Sequence, residues 1–499
     1  MIDKWGVSNF KSIGEDTEFD FAPLTILTGA NSGGKSSLIQ SILMVAQTLK
    51  HKDKDESIPI ALREPLVDLG TFDEIKSKHT NSDRISIGFS YTLPSWYDDK
   101  GQMQAGRPTP DGFLKTIKCD FSFGKIDPSS HQVADLLIFS VDLFSKYDKT
   151  DTRISIKYNS KKIIEYKSNG EKIENSARIP GYDVIIDPIF TSTFSDGSMK
   201  INEVVGCILG HFLPKGLYIS WGDKNGNIIG PHSSKQNDIV LSFLYEYFCD
   251  LLKYIGPLRV EPKPLNSSDN SNHNIKGEDT AKILATNKKD IEYIPSKCFI
   301  SGVINKESKK RLKLIDAAND WLNYLGIAEA VASRPVGPEG KYGYDIKVIN
   351  SGFEQGIDHV GTGVSQVLPI IIECLVAEPG STLIIEEPEY HLHPRVQALL
   401  GDFFLAMIFC DKQCIIETHS EYLTNALRYR IADAPSKNPL NDKVKLYFAD
   451  KQGPNSTFRE IEIDEYGSVS EWPGEFFDVT VEYAGKILRA ANKKRRERG

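Results

Sequence analysis

The chain has no Cys-x-x-Cys pair. Its seven cysteines, Cys119, Cys207, Cys249, Cys298, Cys374, Cys410 and Cys414, are odd in number and scattered. This spacing supplies neither a disulfide framework nor a zinc site, and a reducing cytoplasm is the expected compartment. No run approaches the roughly 18 apolar residues of a membrane span, and Met1 to Asn9 has no apolar signal core. A soluble, unprocessed protein without membrane contact is expected. Positive net charge is missing too: 60 Lys and Arg against 68 Asp and Glu leave −8, which argues against a uniformly basic coat for DNA but allows local patches. No heptad repeat is sustained, which excludes a long coiled-coil arm. What is present, 40% hydrophobic and 26% charged residues over 499 positions, describes a globular chain of two or three domains.

One segment is chemically specific. Gly29, Ala30, Asn31, Ser32, Gly33, Gly34, Lys35 and Ser36 form a complete phosphate-binding loop, followed by Ser37. They lie between a strand-like run, Leu24 to Leu27, and a run from Lys35 to Leu49 whose Leu38, Ile39, Ile42, Leu43, Ala46 and Leu49 keep a helical period. The glycines let backbone N–H groups curl around phosphates, Lys35 reaches β and γ oxygens, the Ser36 hydroxyl ligates Mg²⁺, and the helix turns its positive end to the anion. ATP with Mg²⁺ is the expected ligand.

Apolar runs and turns from Lys4 to Leu27, and again to Tyr91, predict the first half of a nucleotide-binding core over residues 1–93. From 94 to 254 the chain changes character, with strand-like runs (Arg153 to Lys167, Tyr182 to Phe190) and a helical stretch from Asp238 to Leu252. This predicts an inserted accessory domain. A connecting segment follows over 255–340, with a polar mobile loop at Asn266 to Asn274 and one amphipathic helix over Ser308 to Leu325. The second half of the core is expected over 341–435, and a C-terminal extension with a basic tail (Lys493 to Arg498) over 436–499.

The second half carries the remaining chemistry. Ser381 to Pro388 reads as an apolar strand ending in Glu386 and Glu387. Glu386 is assigned to Mg²⁺, and Glu387 to the water that attacks the γ-phosphate. A further strand, Gln413 to Glu417, leads to Thr418-His419-Ser420, where His419 is placed to donate to the γ-phosphate. Arg259 is read mainly as a surface ion-pair residue. His391 and His393 have no supporting Cys or Asp cluster and are read as structural or subunit-contact residues. Glu165-Tyr166-Lys167 is a chance nuclease-like triplet, and the basic tail a solvated terminus.

The order of the loop, the Val360 to Pro369 segment, the Ile385 to Pro394 segment and Glu417-Thr418-His419-Ser420 resembles an ABC-type ATPase. Within that class it resembles the overcoming-lysogenization-defect-like branch, related to the RecF and structural-maintenance-of-chromosomes ATPases. Asn9-Phe10-Lys11-Ser12, Tyr254 to Arg259, and Gly467 to Asp478 carry the same resemblance, which covers about half of the chain. It implies an α/β P-loop head with mixed sheets, a large α+β insertion and a short helical arm. It also implies two heads sandwiching two nucleotides, with Gly361, Gly363 and Gln366 as the signature that reaches the other subunit's nucleotide, and a nucleotide role for Lys11. Gly361 stands where the family has serine, Gln366 comes late, and Glu386 replaces the usual aspartate. The Toprim nuclease common in this branch has no counterpart after His419.

By that resemblance the chain is an ATPase that dimerises, or forms a higher homo-oligomer, and controls a separate effector. The expected setting is prokaryotic defence against phage, with a nuclease or toxin as effector and nucleic acid or a phage protein as trigger. The alternatives are a RecF-like repair ATPase acting directly on DNA, a transporter subunit, or a non-hydrolysing scaffold.

Overall fold

The computed structural model describes residues 1–50, 58–63, 65–93, 95–97, 103–105, 107–109, 112–126, 136–146, 151–165, 178–187, 200–223, 226–232, 235–260, 275–302, 306–470 and 486–491. The expected loop at Asn266 to Asn274, the basic tail and the Trp472 to Asp478 segment lie outside these residues, as do Tyr166 and Lys167. The chain is mixed α/β and divides into two compact units. One comprises Met1–Phe21, Ser36–Lys253 and Glu378–Thr382; the other comprises Ala22–Lys35, Tyr254–Ala377 and Leu383–Gly499.

The first unit is built on a seven-stranded sheet. Its strands are β1 (Ile2–Ser8), β2 (Thr17–Asp20), β4 (Arg84–Thr92), β5 (Thr116–Lys125), β6 (Leu136–Lys146), β7 (Asp151–Glu165) and β8 (Arg178–Asp187). They lie in the order β8-β7-β6-β5-β4-β1-β2, all six neighbouring pairs being antiparallel. Strand β4 pairs with β1 on one side and β5 on the other, so the expected domain boundary at residue 93 falls inside one sheet. The physical reason is simple: without β5, the edge of β4 would present a row of unpaired backbone groups. The inserted residues extend the N-terminal sheet. Its buried face is aromatic, with Trp5 stacked on Phe89 at 5.6 Å and its Nε1 donating to Ser41 Oγ at 2.8 Å.

The second unit holds the strand that leads into the phosphate loop. Strands β9 (Leu252–Ile255), β10 (Thr382–Glu386), β11 (Gln413–Glu417), β3 (Leu24–Gly29), β12 (Val444–Gln452) and β13 (Asn455–Ile461) form a sheet in the order β9-β10-β11-β3-β12-β13. Strand β3 runs parallel to both neighbours, with Leu27 opposite Glu417 and Gly29 opposite Ala449. Every residue of β3, β10 and β11 is buried, which explains why they read as unbroken apolar runs instead of alternating ones. Helix α1 (Lys35–Lys50) follows the loop.

Helix α2 (Leu314–Leu325) is shorter than the expected Ser308 to Leu325 element. Lys310–Lys313 instead form a strand paired antiparallel with Asp290–Tyr293, and Leu312, expected on the apolar stripe, is exposed there. From Leu314 onward the stripe is real: Leu314, Ala317, Ala318, Trp321, Leu322 and Leu325 are buried, and Gly326 ends the helix in the left-handed conformation (φ 69°). Helices α3 (Thr362–Val376), α4 (Pro394–Phe409) and α5 (Glu421–Asp433) complete the second unit. No helix among the described residues is long and apolar enough to cross a membrane.

Candidate nucleotide site

Because β3 and β11 are parallel neighbours in register, the two carboxyl ends release their chains at one edge of the sheet, where ligands of open α/β sheets bind. Strand β3 gives the phosphate loop, β11 gives Thr418 and His419, and β10, beyond β11, gives Glu386 and Glu387. The Thr418 N–H donates to the Leu27 carbonyl at 3.0 Å, and the Glu387 N–H donates to the Glu417 carbonyl at 2.8 Å, which ties the three exits together.

The loop glycines answer to a close backbone neighbour. At Gly29 (φ 132°) a Cβ would stand 2.0 Å from the Ala449 carbonyl oxygen, and at Gly33 it would stand 2.6 Å from the same atom. The end of β12 therefore packs directly against the loop. Ser32 adopts φ 63° with no glycine to ease it. The Ala30 N–H donates to Ala449 O at 3.2 Å, and the Gly33 N–H to Ala30 O at 3.0 Å. Lys35 is 3% exposed; its Nζ donates to the carbonyls of Gly29 (3.1 Å) and Ala30 (3.0 Å) and lies 4.0 Å from Glu417 Oε1. Burial lowers its pKa, opposed by the charges of Glu417, Glu387 and Glu389.

The acid pair is held by two residues from the Tyr254 to Arg259 segment. Tyr254 donates its hydroxyl to Glu386 Oε1 at 2.9 Å. Arg259 Nη2 donates to the Glu386 carbonyl at 2.6 Å and Nη1 to the Glu387 carbonyl at 2.9 Å. Arg259 is buried and binds backbone, which corrects its reading as a surface ion-pair residue. Glu387 sits at φ 44°, a left-handed conformation that costs on the order of 1–2 kcal/mol for a residue with a Cβ. Burial raises the pKa of Glu386, and the neighbouring Glu387 charge adds to it, while the Tyr254 hydrogen bond and Arg259 act the other way.

Glu389 Oε1 accepts the His419 N–H at 2.6 Å and so fixes the turn that carries the histidine. Burial raises the pKa of Glu389. His419 is pushed towards its neutral form, first by burial and then by the Lys35 charge. A neutral imidazole suits a hydrogen-bonding role beside a phosphate. Next to it, Ser420 caps α5 by accepting from the Leu423 N–H at 3.1 Å.

The remaining expected site residues are described within their own units. Ser36 and Ser37 open α1 within the first unit, where Ser37 Oγ lies 3.1 Å from Ser12 Oγ. Lys11 is in that unit too, at φ 50°, with Nζ donating to Gln40 Oε1 at 2.6 Å. Gly361 caps α3 and is exposed; a Cβ there would meet nothing within 4 Å, as an outward-facing contact requires. Gly363, two residues on, is half-buried. Gln366 differs from expectation: its side chain is buried inside its own unit, because one turn beyond Thr362 the helix faces its core with Val367 and Ile370. His393 caps α4, its Nδ1 accepting from the Arg395 N–H at 3.2 Å, which is a structural role.

The donor set fits a magnesium-bound triphosphate. It offers a buried lysine at the loop and buried carboxylates at the neighbouring strand ends, with burial raising the pKa of Glu386 and Glu389. Glu389 Oε2 is enclosed without a hydrogen-bond partner among the described residues. Glu386, the acid at the end of β10, is the carboxylate that would face a bound Mg²⁺. Of the contributors described above, Tyr254, Glu389 and Glu417 have no site reading from sequence, and Arg259 has one only as the lesser alternative to a surface ion pair. The Gly-Pro before Leu258 and Arg259, and the third glutamate after Pro388, were the signals available.

Two AAA ATPase family models match this chain. One, described as AAA ATPase domain, matches residues 231–424 and so includes both acids and His419; the other, described as AAA domain, matches residues 6–194 and includes the phosphate loop. A third, a protein family of unknown function (DUF3696), matches residues 441–480. No curated protein matches. Among solved structures, an Smc head bound to the C-winged helix domain of ScpA is similar at 12% identity and TM-score 0.40, covering 93% of this chain and 98% of the other. An SMC head domain from Thermotoga maritima gives 9% identity and TM-score 0.35, covering 93% and 99%. An Smc head domain with an extended coiled coil, bound to the C-terminal domain of ScpA derived from Pyrococcus furiosus, gives 10% and 0.35, covering 98% and 99%. The family matches support an ATPase.

Proposed function

We propose that this protein hydrolyses ATP at the edge where β3, β10 and β11 end. The observation that supports the reading is the buried Lys35–Glu417 pair in the same unit as the Glu386-Glu387 turn that Arg259 holds. Lys35 would leave the loop carbonyls for the β and γ oxygens. Glu387 would orient the attacking water and accept its proton, and neutral His419 would donate to the γ-phosphate. Bound Mg²⁺ would neutralise charge on the phosphate oxygens.

In this reading the protein is an ABC-type ATPase whose Gly361 and Gly363 engage the nucleotide of a second copy, so that ATP joins two heads. Support for the dimer is the exposure of Gly361 at the start of α3 and the sequence resemblance. Control of a separate nuclease or toxin in anti-phage defence, in the cytoplasm, with nucleic acid or a phage protein as trigger, rests on that resemblance alone. Mass measurement by analytical ultracentrifugation of Glu387→Gln tests it: ATP should convert the variant to a dimer that ADP does not form. A monomer under saturating ATP would refute the sandwich. Hydrolysis stimulated by DNA through salt-sensitive binding of the isolated protein would favour the RecF-like repair role instead.

A further inference from the structure

The segment that holds the acid pair also leads back to the signature helix. Gly256 donates its N–H to Ile275 O at 3.0 Å, and Val260 donates to Lys276 O at 2.9 Å, so Arg259 lies on a short backbone ladder with residues 275–276. The next residue, Gly277, has φ 80°, and a Cβ on it would stand 2.4 Å from Pro369 Cβ and 2.6 Å from Pro369 Cγ. Pro369 is inside α3, the helix that Gly361 opens. The Gly277 carbonyl is fixed in turn, accepting from Thr280 N at 3.2 Å and Thr280 Oγ1 at 2.7 Å. Val260, Gly277, Ser365 and Pro369 line one small cavity, which confirms that the ladder and the helix are neighbours.

At the other end of the ladder, Arg259 is 5% exposed and spends two donors on the carbonyls of Glu386 and Glu387. The Glu387 carbonyl also accepts from the Tyr390 N–H at 3.1 Å, and the Glu387 N–H is held by Glu417. A left-handed glutamate persists only where its surroundings hold it, and these four hydrogen bonds do so. Gly277 has no side chain between its backbone and Pro369, so α3 packs directly on the ladder that carries Val260 and Arg259. We propose that Arg259 is a positioning residue that sets the Glu386-Glu387 turn and carries the position of the signature helix to it through Lys276 and Gly277. Resting on the ATPase reading above, this makes the acids of one subunit respond to what its own signature helix engages.

The test uses full-length protein without nucleotide, followed by hydrolysis. In ligand-free protein, Arg259→Lys gives up the two-pronged grip, and amide exchange over residues 385–392 should rise about tenfold, the equivalent of one weakened charge-assisted hydrogen bond. Gly277→Ala should raise exchange in the same segment, and the gentler Pro369→Ala serves if that variant folds poorly. In the Arg259→Lys background either change should add little, because both act through one contact chain. With ATP, Arg259→Lys should lower kcat while the ATP Kd stays within about twofold, as expected for a group that acts on the reacting geometry and not on ground-state binding. Unchanged exchange in Arg259→Lys overturns the positioning role. Additive effects of the two substitutions overturn the link to α3. A wild-type protein that binds ATP without hydrolysing it would sink the ATPase reading, while the exchange arms would still report on Arg259.

Discussion

Removing the ammonium of Lys35 should destabilise the protein before any nucleotide is added. Lys35 and Glu417 are 3% and 6% exposed, with Nζ and Oε1 at 4.0 Å. At an effective dielectric near 20, two unit charges at that distance attract by about 4 kcal/mol. Breaking a buried pair from one side costs roughly 3–5 kcal/mol, since the remaining charge stays desolvated and loses the attraction of the ammonium. Two hydrogen bonds, to Gly29 O and Ala30 O, are lost as well. Lys35→Ala should therefore lose about 3–5 kcal/mol, which at roughly 2–4 °C per kcal/mol for a unit of this size is near 10 °C in unfolding midpoint. Adding Glu417→Gln removes the buried negative charge and should recover part of that loss, leaving a protein that still fails to bind ATP. Thermal unfolding of the three ligand-free variants, followed by fluorescence, measures this. A Lys35→Ala midpoint within about 2 °C of wild type would refute the buried pair, and so would a double variant no more stable than the single.

Other changes test separate contacts. Tyr254→Phe deletes the hydroxyl on Glu386 Oε1 and should raise the Mg²⁺ concentration for half-maximal hydrolysis about 10- to 100-fold, the usual consequence of losing a group that orients a metal ligand; an unchanged requirement would count against Glu386 as the metal carboxylate. Ser420→Ala removes the cap of α5 and should cost about 1 kcal/mol in denaturant unfolding. Lys412 is buried, with Nζ on the carbonyls of Cys374 and Leu375 at the end of α3, and burial lowers its pKa below 10.5. Because the unfolded chain then binds more protons between the lowered value and 10.5, stability should climb with pH across that window. Lys412→Met should remove that climb in unfolding midpoints measured from neutral pH upwards, and an identical pH profile would contradict it.

How much was legible in the sequence follows the range of the forces involved. The strand, loop and helix around Lys35 are written locally, since phosphate chemistry fixes glycines, lysine and serine at set offsets, and β3 and α1 lie where these predict. The strand ends at Glu386 and Glu417 were legible for a similar reason: apolar runs in a parallel sheet stop where the polar edge begins. Lys310–Lys313 reads locally as helix because its partner strand, Asp290–Tyr293, lies outside the local window. The change of character at residue 93 is not a domain join, because the pairing of β4 with β5 continues one sheet across it, and no local window shows that pairing. Arg259 and Tyr254 reach the acids across 127 to 132 positions of chain, and nothing in their own neighbourhood encodes that contact. Gln366 looked like a contact residue by order alone, whereas helical phase turns it inward.

Single-turnover hydrolysis tests most directly whether Glu387 orients the attacking water. With radiolabelled ATP and excess protein, Glu387→Gln should release phosphate at least about a hundredfold more slowly than wild type, in the range expected for loss of general-base catalysis, while its ATP Kd stays within a few-fold. Hydrolysis at the wild-type rate with ATP bound would contradict the account.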